Sequence, residues 1–216
     1  MQTRSHNLLD RLIGEIDKAI KVLTVPARSS RSHTYAPTDA SPQDPLPDAD
    51  RQTSARLMRV NHAGEVAAQA LYHGQALTAR NQTVKAAMQQ SAAEEADHLA
   101  WCEQRLGELQ GRTSVLNPLW YVGSFAIGAL AGALGDRTSL GFVAETEHQV
   151  ESHLRGHLGR LSPRDSRSRA ILEQMQHDEI RHGENAASLG GAALPLPASL
   201  AMRAASKLMT YGSYWI

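Results

Sequence analysis

The sequence predicts an all-α protein, and three observations support this fold class. From Ser54 onward, glycine and proline are sparse inside long stretches in which apolar residues recur at helical spacing. No run alternates apolar and polar residues with the β-branched enrichment of a strand. In three stretches the apolar positions are separated by alternating steps of four and three residues, which is typical of helices in a bundle. The predicted helices cover residues 54–80, 83–110, 117–134, 138–161, 165–189 and 197–212.

The N-terminal part of the chain has a different character. Residues 7–24 place leucine and isoleucine at helical spacing between charged residues, which predicts a short amphipathic helix. Residues 26–53 are rich in proline, serine, aspartate and threonine and have no apolar period, which is typical of a linker or an extended surface segment. We therefore predict an amphipathic helix over 1–25, a linker over 26–53 and one helical domain over 54–216.

Composition narrows the classes of function. The 22 Lys and Arg residues balance 22 Asp and Glu residues, so no overall positive field collects phosphates and we expect no nucleic-acid partner. Cys102 is the only cysteine, which excludes an internal disulfide and a thiolate-rich zinc or iron–sulfur site. Asp10, Glu15 and Asp17 interrupt the apolar residues near the N-terminus, so a secretory signal is not expected and the expected setting is the cytoplasm.

One segment, between Arg112 and Asp136, carries no charge over 23 residues. A membrane-spanning helix needs about 20 apolar residues, so length alone permits a span. Asn117 and Pro118 near its start and three internal glycines favour a helix that lies in one leaflet or packs against a lipid-like ligand. A buried core helix is a further alternative.

Carboxylates occupy positions where bundle helices normally carry apolar side chains. Glu95 interrupts the apolar stripe of residues 83–110, and Glu147 and Glu179 interrupt the stripes of the two later helices. A buried, unpaired carboxylate is costly, so three helices that direct carboxylates inward indicate a cation between them. His98 and His182 each follow a glutamate by three residues, which places both members of each pair on one helix face.

The pattern also repeats along the chain. Glu65 precedes Glu95 by 30 residues, and Glu147 precedes Glu179 by 32. Two similar helical hairpins are therefore predicted, each with a lone glutamate and a Glu-x-x-His pair, which is the ligand set of the ferritin-like di-iron and di-manganese carboxylate proteins. The predicted metal ligands, and with them the candidate catalytic residues, are Glu65, Glu95, His98, Glu147, Glu179 and His182.

Several neighbouring residues compete for these roles. A third pair, Glu145 and His148, falls on the polar side of its helix and is interpreted as solvated, which leaves Glu147 as the inward ligand. Glu151 is ambiguous, because Val150 can take its place in the apolar stripe. Three histidines are either outer partners of the site or ordinary structural residues: His62, His73 and His153.

The donor set favours a pair of iron or manganese ions over copper or zinc, because hard oxygen donors dominate and no thiolate is present. The His-Glu-x-x-His pattern of zinc proteases is absent, since His177 is followed by Asp178 rather than by a glutamate. Two iron ions are the preferred prediction. The choice between iron and manganese stays open at this point.

Four stretches resemble one known family. They are RVNHAGEVAAQALYHGQ around Glu65, AAEEADHLAWCEQRL around Glu95, NPLWYVGSFAIGALAGALG, and HDEIRHGENA around Glu179. From about Arg51 to Tyr211 the chain is similar to the demethoxyubiquinone hydroxylase family of ubiquinone biosynthesis. This resemblance implies a ferritin-like four-helix bundle with additional apolar or amphipathic helices for membrane contact, and it carries the metal ligands to the same six residues. In that family a histidine follows the ligand glutamate by six residues, as His153 follows Glu147 here.

The resemblance also implies a reaction. It is the hydroxylation of 2-polyprenyl-3-methyl-6-methoxy-1,4-benzoquinol (demethoxyubiquinol) with O2 by a di-iron monooxygenase. No nucleotide-binding glycine motif follows a strand, so the electrons are expected from the quinol itself, from NADH bound in another way, or from a partner. Because a polyprenyl substrate resides in the bilayer, we expect peripheral attachment to the cytoplasmic side of the cell inner membrane. Other ubiquinone-biosynthesis proteins or a second copy of the chain are further expected partners.

Two rival functions follow from the same ligand set. One is a ferritin-like oxygenase that acts on a modified tRNA base, which the zero net charge and the uncharged segment disfavour. The other is an iron-storage or oxidant-scavenging protein, which should form a soluble shell with a polar outer surface. An uncharged helix is at odds with such a surface, and quinol-dependent O2 consumption separates the two activities.

Overall fold

A computed structural model describes residues 8–31 and 45–216 of the chain. Within these residues the structure is helical, with no strand, so the predicted all-α class is confirmed. Part of the predicted linker, residues 32–44, lies outside the described residues, as do residues 1–7. The helices are α1 (Leu8–Thr24), α2 (Asp48–Thr78), α3 (Gln82–Glu108), α4 (Asn117–Ala133), α5 (Asp136–Arg160), α6 (Ser166–Ser188) and α7 (Leu196–Trp215).

The start of α2 differs most from the prediction. Helix α2 begins at Asp48, inside the segment that the sequence predicts as a linker, whereas the other helices lie within three residues of the predicted bounds. Its first turn carries Asp48 and Asp50, whose charges favour a helix N-terminus, and it has little apolar periodicity. Arg51 binds the carbonyl of Leu109 at 3.1 Å and so anchors this polar turn to the end of α3. Apolar spacing alone therefore missed the turn.

Four helices, α2, α3, α5 and α6, form a ferritin-like bundle of two helical hairpins. Two apolar layers fill its interior, one around Met58, Leu106 and Met175 and the other around Met88 and Leu140. Every inward carboxylate predicted from the sequence lies between these two layers along its own helix. The fold thus places a polar cluster in the middle of an apolar core.

Helix α4 packs closely against α2 through glycines. A Cβ atom added at Gly128 would lie 2.2 Å from the backbone oxygen of Leu71, and one added at Gly74 would lie 2.3 Å from that of Phe125. No side chain fits at such distances, so the two backbones approach more closely than any larger residue permits. Gly128 therefore serves helix packing, as does Gly132, whose added Cβ would lie 3.0 Å from the backbone oxygen of Gln75.

We predict that Gly128→Ala destabilises the protein by about 1–3 kcal/mol, because α4 must move away from α2 to admit one methyl group. Gly123→Ala in the same helix is the matched control: its added Cβ would meet nothing within 4 Å. Alanine is the better helix former, so the control should gain about 0.5–1 kcal/mol. Urea unfolding of both variants measures the difference, and equal stabilities would contradict the close packing.

The outer faces of α4 and α7 remain strongly apolar. Val122 and Leu130 on α4 are 66% and 62% exposed, and Leu208 on α7 is 67% exposed, so α4 is not the buried core helix considered above. In the part of the chain that the structure describes, no helix combines the length and the apolarity needed to cross a bilayer. The other large exposed apolar residues of these helices are Leu119, Ile127, Leu196, Leu200, Tyr211 and Trp215.

Candidate metal centre

The bundle brings all six predicted ligands together in one buried carboxylate–histidine cluster. Its members come from all four bundle helices and are at most 4% exposed: Glu65 on α2, Glu95 and His98 on α3, Glu147 on α5, and Glu179 and His182 on α6. They form two groups of four, in each of which one ligand atom per residue lies within 4.8 Å of the others. The first group contains Glu65 and His98 and the second contains Glu147 and His182, while Glu95 and Glu179 belong to both.

The two histidines face the shared carboxylates in the same way. Nδ1 of His98 lies 3.0 Å from Glu95 Oε2 and 3.3 Å from Glu179 Oε1. Nδ1 of His182 lies 3.3 Å from Glu95 Oε1 and 3.4 Å from Glu179 Oε2. Each shared carboxylate therefore offers one oxygen to each histidine, and the two groups are related as two halves of a symmetric site.

Three polar atoms of the cluster are buried without a hydrogen bond: Glu95 Oε1, Glu179 Oε2 and His182 Nδ1. Leaving such atoms unsatisfied costs free energy, and in native proteins they usually have a partner. All three are electron-pair donors that point into the cluster. A metal cation satisfies all of them at once, so the residues present fit a pair of ions.

The pKa values show how strongly this cluster requires positive charge. Burial and the neighbouring carboxylates raise the pKa of Glu65 and of Glu147 well above the ordinary value. Burial alone would also raise the pKa of Glu95, but His98 and His182 outweigh it and hold that pKa well below the usual range. Despite burial, Glu179 and Glu95 raise the pKa of His182 to about 11. Without metal, protons therefore take the place of the cation.

Three residues that the sequence analysis did not identify form hydrogen bonds to the predicted ligands from outside the cluster. Nε2 of His98 lies 3.0 Å from Asp178 Oδ2, and Nε2 of His182 lies 2.7 Å from Glu94 Oε2. The support is reciprocal, because α6 supports the histidine of α3 and α3 supports that of α6. Hydrogen bonds of this kind fix the ring orientation and leave Nδ1 for a metal. The hydroxyl of Tyr72 donates to the carboxylate of Glu147.

The sequence did contain a signal for two of these residues. Glu94 directly precedes Glu95, and Asp178 directly precedes Glu179, so an additional acidic residue stands immediately before each Glu-x-x-His pair. The same internal repeat that selected the ligands therefore also selects their outer partners. Tyr72 has no comparable signal, because an aromatic residue in an apolar stripe is ordinarily a core residue.

The competing residues lie outside the cluster. Glu145 accepts a hydrogen bond from Gln149, and His148 is exposed, so Glu147 is the inward residue of α5 as predicted. Glu151 is paired with Arg155 and belongs to neither group of the cluster.

The three histidines whose role the sequence leaves undecided, His62, His73 and His153, divide into two groups. Nδ1 of His62 lies 3.3 Å from the Asn117 amide nitrogen, and Nδ1 of His73 lies 2.9 Å from the Tyr121 hydroxyl, so both are engaged elsewhere. Burial lowers the pKa of each to about 4. His153 packs against His157 in a tilted arrangement, with ring centroids 3.9 Å apart. Unlike the other two, it lines a cavity that reaches the cluster.

This cavity is small, about 40 Å³, and lies between α2, α5 and α7. Three cluster residues line it, Glu65, Glu147 and Glu179, together with His153. Met209 and Thr210 close it on the side of α7. The cavity therefore borders the carboxylate side of the cluster, and α7, the helix that covers it, exposes apolar side chains outward.

A family profile and similar proteins of known name show which family the chain belongs to. The profile of the family described as "Ubiquinone biosynthesis protein COQ7" matches residues 52–213. The chain belongs to the COQ7 family. It is 55% identical to the 3-demethoxyubiquinol 3-hydroxylase of Ralstonia pickettii (strain 12J), over 97% of this chain and 100% of the relative. It is also 56% identical to the protein of the same name from Cupriavidus pinatubonensis (strain JMP 134 / LMG 1197), over 96% of this chain and 100% of the relative.

The COQ7 family match covers the whole cluster and its outer partners. All six cluster residues lie within residues 52–213, and so do Tyr72, Glu94 and Asp178. Helix α1 and the residues that follow it precede the matched range. The family profile therefore does not include these N-terminal residues.

Proposed function

We propose that this protein is a di-iron monooxygenase that uses O2 to hydroxylate 2-polyprenyl-3-methyl-6-methoxy-1,4-benzoquinol, demethoxyubiquinol, in ubiquinone biosynthesis. The observation that carries the proposal is the buried cluster of four glutamates and two histidines with unsatisfied donor atoms. Membership of the COQ7 family and relatives named 3-demethoxyubiquinol 3-hydroxylase support the choice of reaction and substrate.

The proposed ligand set assigns each ion to one group of the cluster. Glu65 and His98 would hold one ion, Glu147 and His182 the other, and Glu95 and Glu179 both. Carboxylate oxygens and imidazole nitrogens without a thiolate suit iron or manganese, and O2-dependent hydroxylation favours iron. When bound, the iron pair supplies the redox chemistry that activates O2.

The residues of the chain prepare the site for this chemistry. The apolar layers above and below the cluster exclude water. The Tyr72 hydroxyl orients Glu147 at the carboxylate side of the cluster, and Asp178 and Glu94 orient the two histidines. The quinol ring would enter between α2, α5 and α7, where the cavity of about 40 Å³ borders Glu65 and Glu147 and where α7 would have to move to admit the ring. The isoprenoid tail would then remain along the apolar outer face of α7.

Oxygen consumption tests the proposed reaction. The iron-loaded protein should consume O2 when a demethoxyubiquinol is added and should release the hydroxylated quinol. Continued iron uptake without quinol turnover would favour the rival function, an iron-storage or oxidant-scavenging protein. The electrons are proposed to come from the quinol, from NADH or from a partner protein, and supplying these donors separately in the assay identifies the source.

We further propose peripheral attachment to the cytoplasmic face of the inner membrane through α4 and α7. The exposed apolar side chains on these two helices support this, since partial insertion of such a face into a bilayer removes it from water. The cavity that reaches the cluster lies beneath α7, so a lipid substrate would enter from the same face.

Substitution on this face tests the attachment. Burial of one leucine contributes about 1.5–3 kcal/mol, so the double variant Leu130→Asp/Leu208→Asp should bind vesicles of bacterial lipid at least about tenfold more weakly. Ile180→Asp is the matched control, because Ile180 is an exposed isoleucine on α6. Vesicle co-sedimentation measures the binding. A wild-type protein that binds no vesicles, or a double variant that binds as well as the control, would contradict the attachment.

A further inference from the structure

The segment that follows α1 reaches the outer side of the candidate metal centre. Three of its groups converge on the carboxylate of Asp97 on α3: the Ser30 backbone N–H at 2.6 Å, the Ser29 hydroxyl at 2.9 Å and the Arg31 Nε at 2.8 Å. The Trp101 indole donates to Ser29 Oγ at 3.2 Å. The segment is therefore fastened to α3 by several hydrogen bonds.

Arg31 links this segment to the cluster. Its Nη1 lies 2.7 Å from Asp178 Oδ2, the same oxygen that faces Nε2 of His98. Its guanidinium also lies over the Trp101 ring, 4.6 Å from the centroid, and that ring is 5.3 Å from the His98 ring. A continuous path of contacts thus leads from Arg31 through Asp178 to His98.

Electrostatics explain why a cation is needed at this point. Asp97 on α3 and Asp178 on α6 have side chains only 3% and 2% exposed, and two buried carboxylates on adjacent helices repel each other. Arg31 spans them with the two edges of one guanidinium, a geometry that the point charge of lysine does not reproduce. The other oxygen of Asp178 contacts Arg181 at 3.2 Å. Arg31 is therefore the arginine that binds the oxygen facing His98.

The two halves of the centre differ in the origin of the arginine that holds the supporting acid. Glu94, which supports His182, is held by Arg181 at 2.9 Å, and Arg181 belongs to the bundle itself. The arginine that binds the supporting oxygen of Asp178 comes instead from the N-terminal segment. Arg31 also lies outside the residues that the COQ7 family profile matches.

We propose that Arg31 is a positioning residue of the metal centre. It holds Asp178 so that the His98 ring presents Nδ1 to the shared carboxylates, and the N-terminal segment thereby completes the site that contains Glu65 and His98. This inference rests on the proposed metal binding. It gives residues 26–31, which the sequence places in a linker, a specific role.

Ferrous ion affinity tests the inference. Anaerobic titration of the full-length protein with Fe(II) against a competing chelator should give two bound ions for the wild type. Arg31→Gln should weaken one of them about tenfold or more, the usual effect of losing a group that orients a ligand. Arg31→Lys should have a smaller effect. Arg28→Gln is the matched control, because Arg28 is an exposed arginine of the same segment and its loss changes the charge equally.

A double variant separates positioning from general structural damage. If Arg31 acts through Asp178, Arg31→Gln should cost no further affinity in an Asp178→Asn background. Equal losses in both backgrounds, or wild-type affinity in Arg31→Gln, would overturn the inference while leaving the proposed function intact. A wild-type protein that binds no Fe(II) would overturn the proposed function itself. If Arg31→Gln does not fold, Arg31→Lys in the same two backgrounds provides the test.

Discussion

Replacing Glu179 by alanine should remove both metal ions, whereas replacing Glu147 by alanine should remove chiefly one. The difference follows from the geometry of the cluster, because Glu179 belongs to both groups of ligands and Glu147 to only one. Glu95 is shared in the same way, so Glu95→Ala should behave like Glu179→Ala. Quinol hydroxylation should fall below detection in both variants of the shared residues.

The control for this prediction is Glu145→Ala. Glu145 lies two residues from Glu147 on α5 but binds Gln149 outside the cluster, so its loss should leave both ions in place. The measurement is iron per chain by elemental analysis, after anaerobic loading and removal of free metal. Full iron occupancy in both Glu95→Ala and Glu179→Ala would refute the ligand assignment.

Removing the metal should destabilise the protein strongly. A ligand that binds only the folded state stabilises it by about 4 kcal/mol at a free concentration 1,000 times its Kd, which for a chain of this size corresponds to about 8–16 °C in Tm. The metal-free form must in addition bury the carboxylates of Glu65 and Glu147 beside those of Glu95 and Glu179. Chelation should therefore lower Tm by at least this amount.

The loss of stability on metal removal should grow as the pH rises. In the metal-free protein the pKa values of Glu65 and Glu147 are raised, so their contribution to stability is complete below the unfolded value of about 4.5 and is lost as the pH rises through their folded pKa values. Metal binding requires deprotonated ligands and therefore strengthens with pH. Both effects increase the difference in stability between the metal-loaded and the metal-free protein, and this difference is called the stability gap below.

The two histidines of the cluster act in the same direction. Despite burial, the carboxylates around them raise the pKa values of His98 and His182 in the metal-free protein, so the stability that they contribute is complete below the unfolded value of about 6.5 and is lost as the pH rises. Titrating groups outside the cluster largely cancel in this comparison. The lowered pKa values of His62 and His73 cost the folded state stability as the pH falls below about 6.5, and these residues do not belong to the cluster, so they affect both forms alike. Thermal unfolding at pH 6 and at pH 8, each with iron and with chelator, measures the stability gap as a difference in Tm. A stability gap that narrows at pH 8 would contradict the assigned carboxylates.

Much of this structure follows from periodicity in the sequence. The all-α fold was predicted correctly, because long apolar stripes specify the helices and the repeat of carboxylates specifies two hairpins. The family was predicted correctly from the resemblance of four sequence stretches, and periodicity alone does not give it. The choice of Glu147 over Glu145 followed from helix geometry, since only one of two residues at that spacing can face inward. The structure brings the six predicted residues together, and their role as metal ligands stays a prediction.

The remaining features depend on contacts that periodicity does not encode. The first turn of α2 is polar and is fixed by Arg51 and helix-terminal charges. Residues 26–31 have no repeating pattern, yet Arg31 binds Asp97 and Asp178 on two different helices. Only the three-dimensional structure reveals such a long-range pairing between one arginine and two buried acids. The predicted division of the chain into helix, linker and domain stays a proposal.

A single-turnover experiment tests the central claim most directly. Protein loaded with ferrous iron under anaerobic conditions is mixed with a demethoxyubiquinol and then with O2, and the hydroxylated quinol is measured by mass spectrometry against the iron bound per chain. We predict that product forms only when both ions are bound and that its amount follows the number of complete iron pairs. Equal product from metal-free protein, or complete iron oxidation without product, would contradict a di-iron quinol hydroxylase.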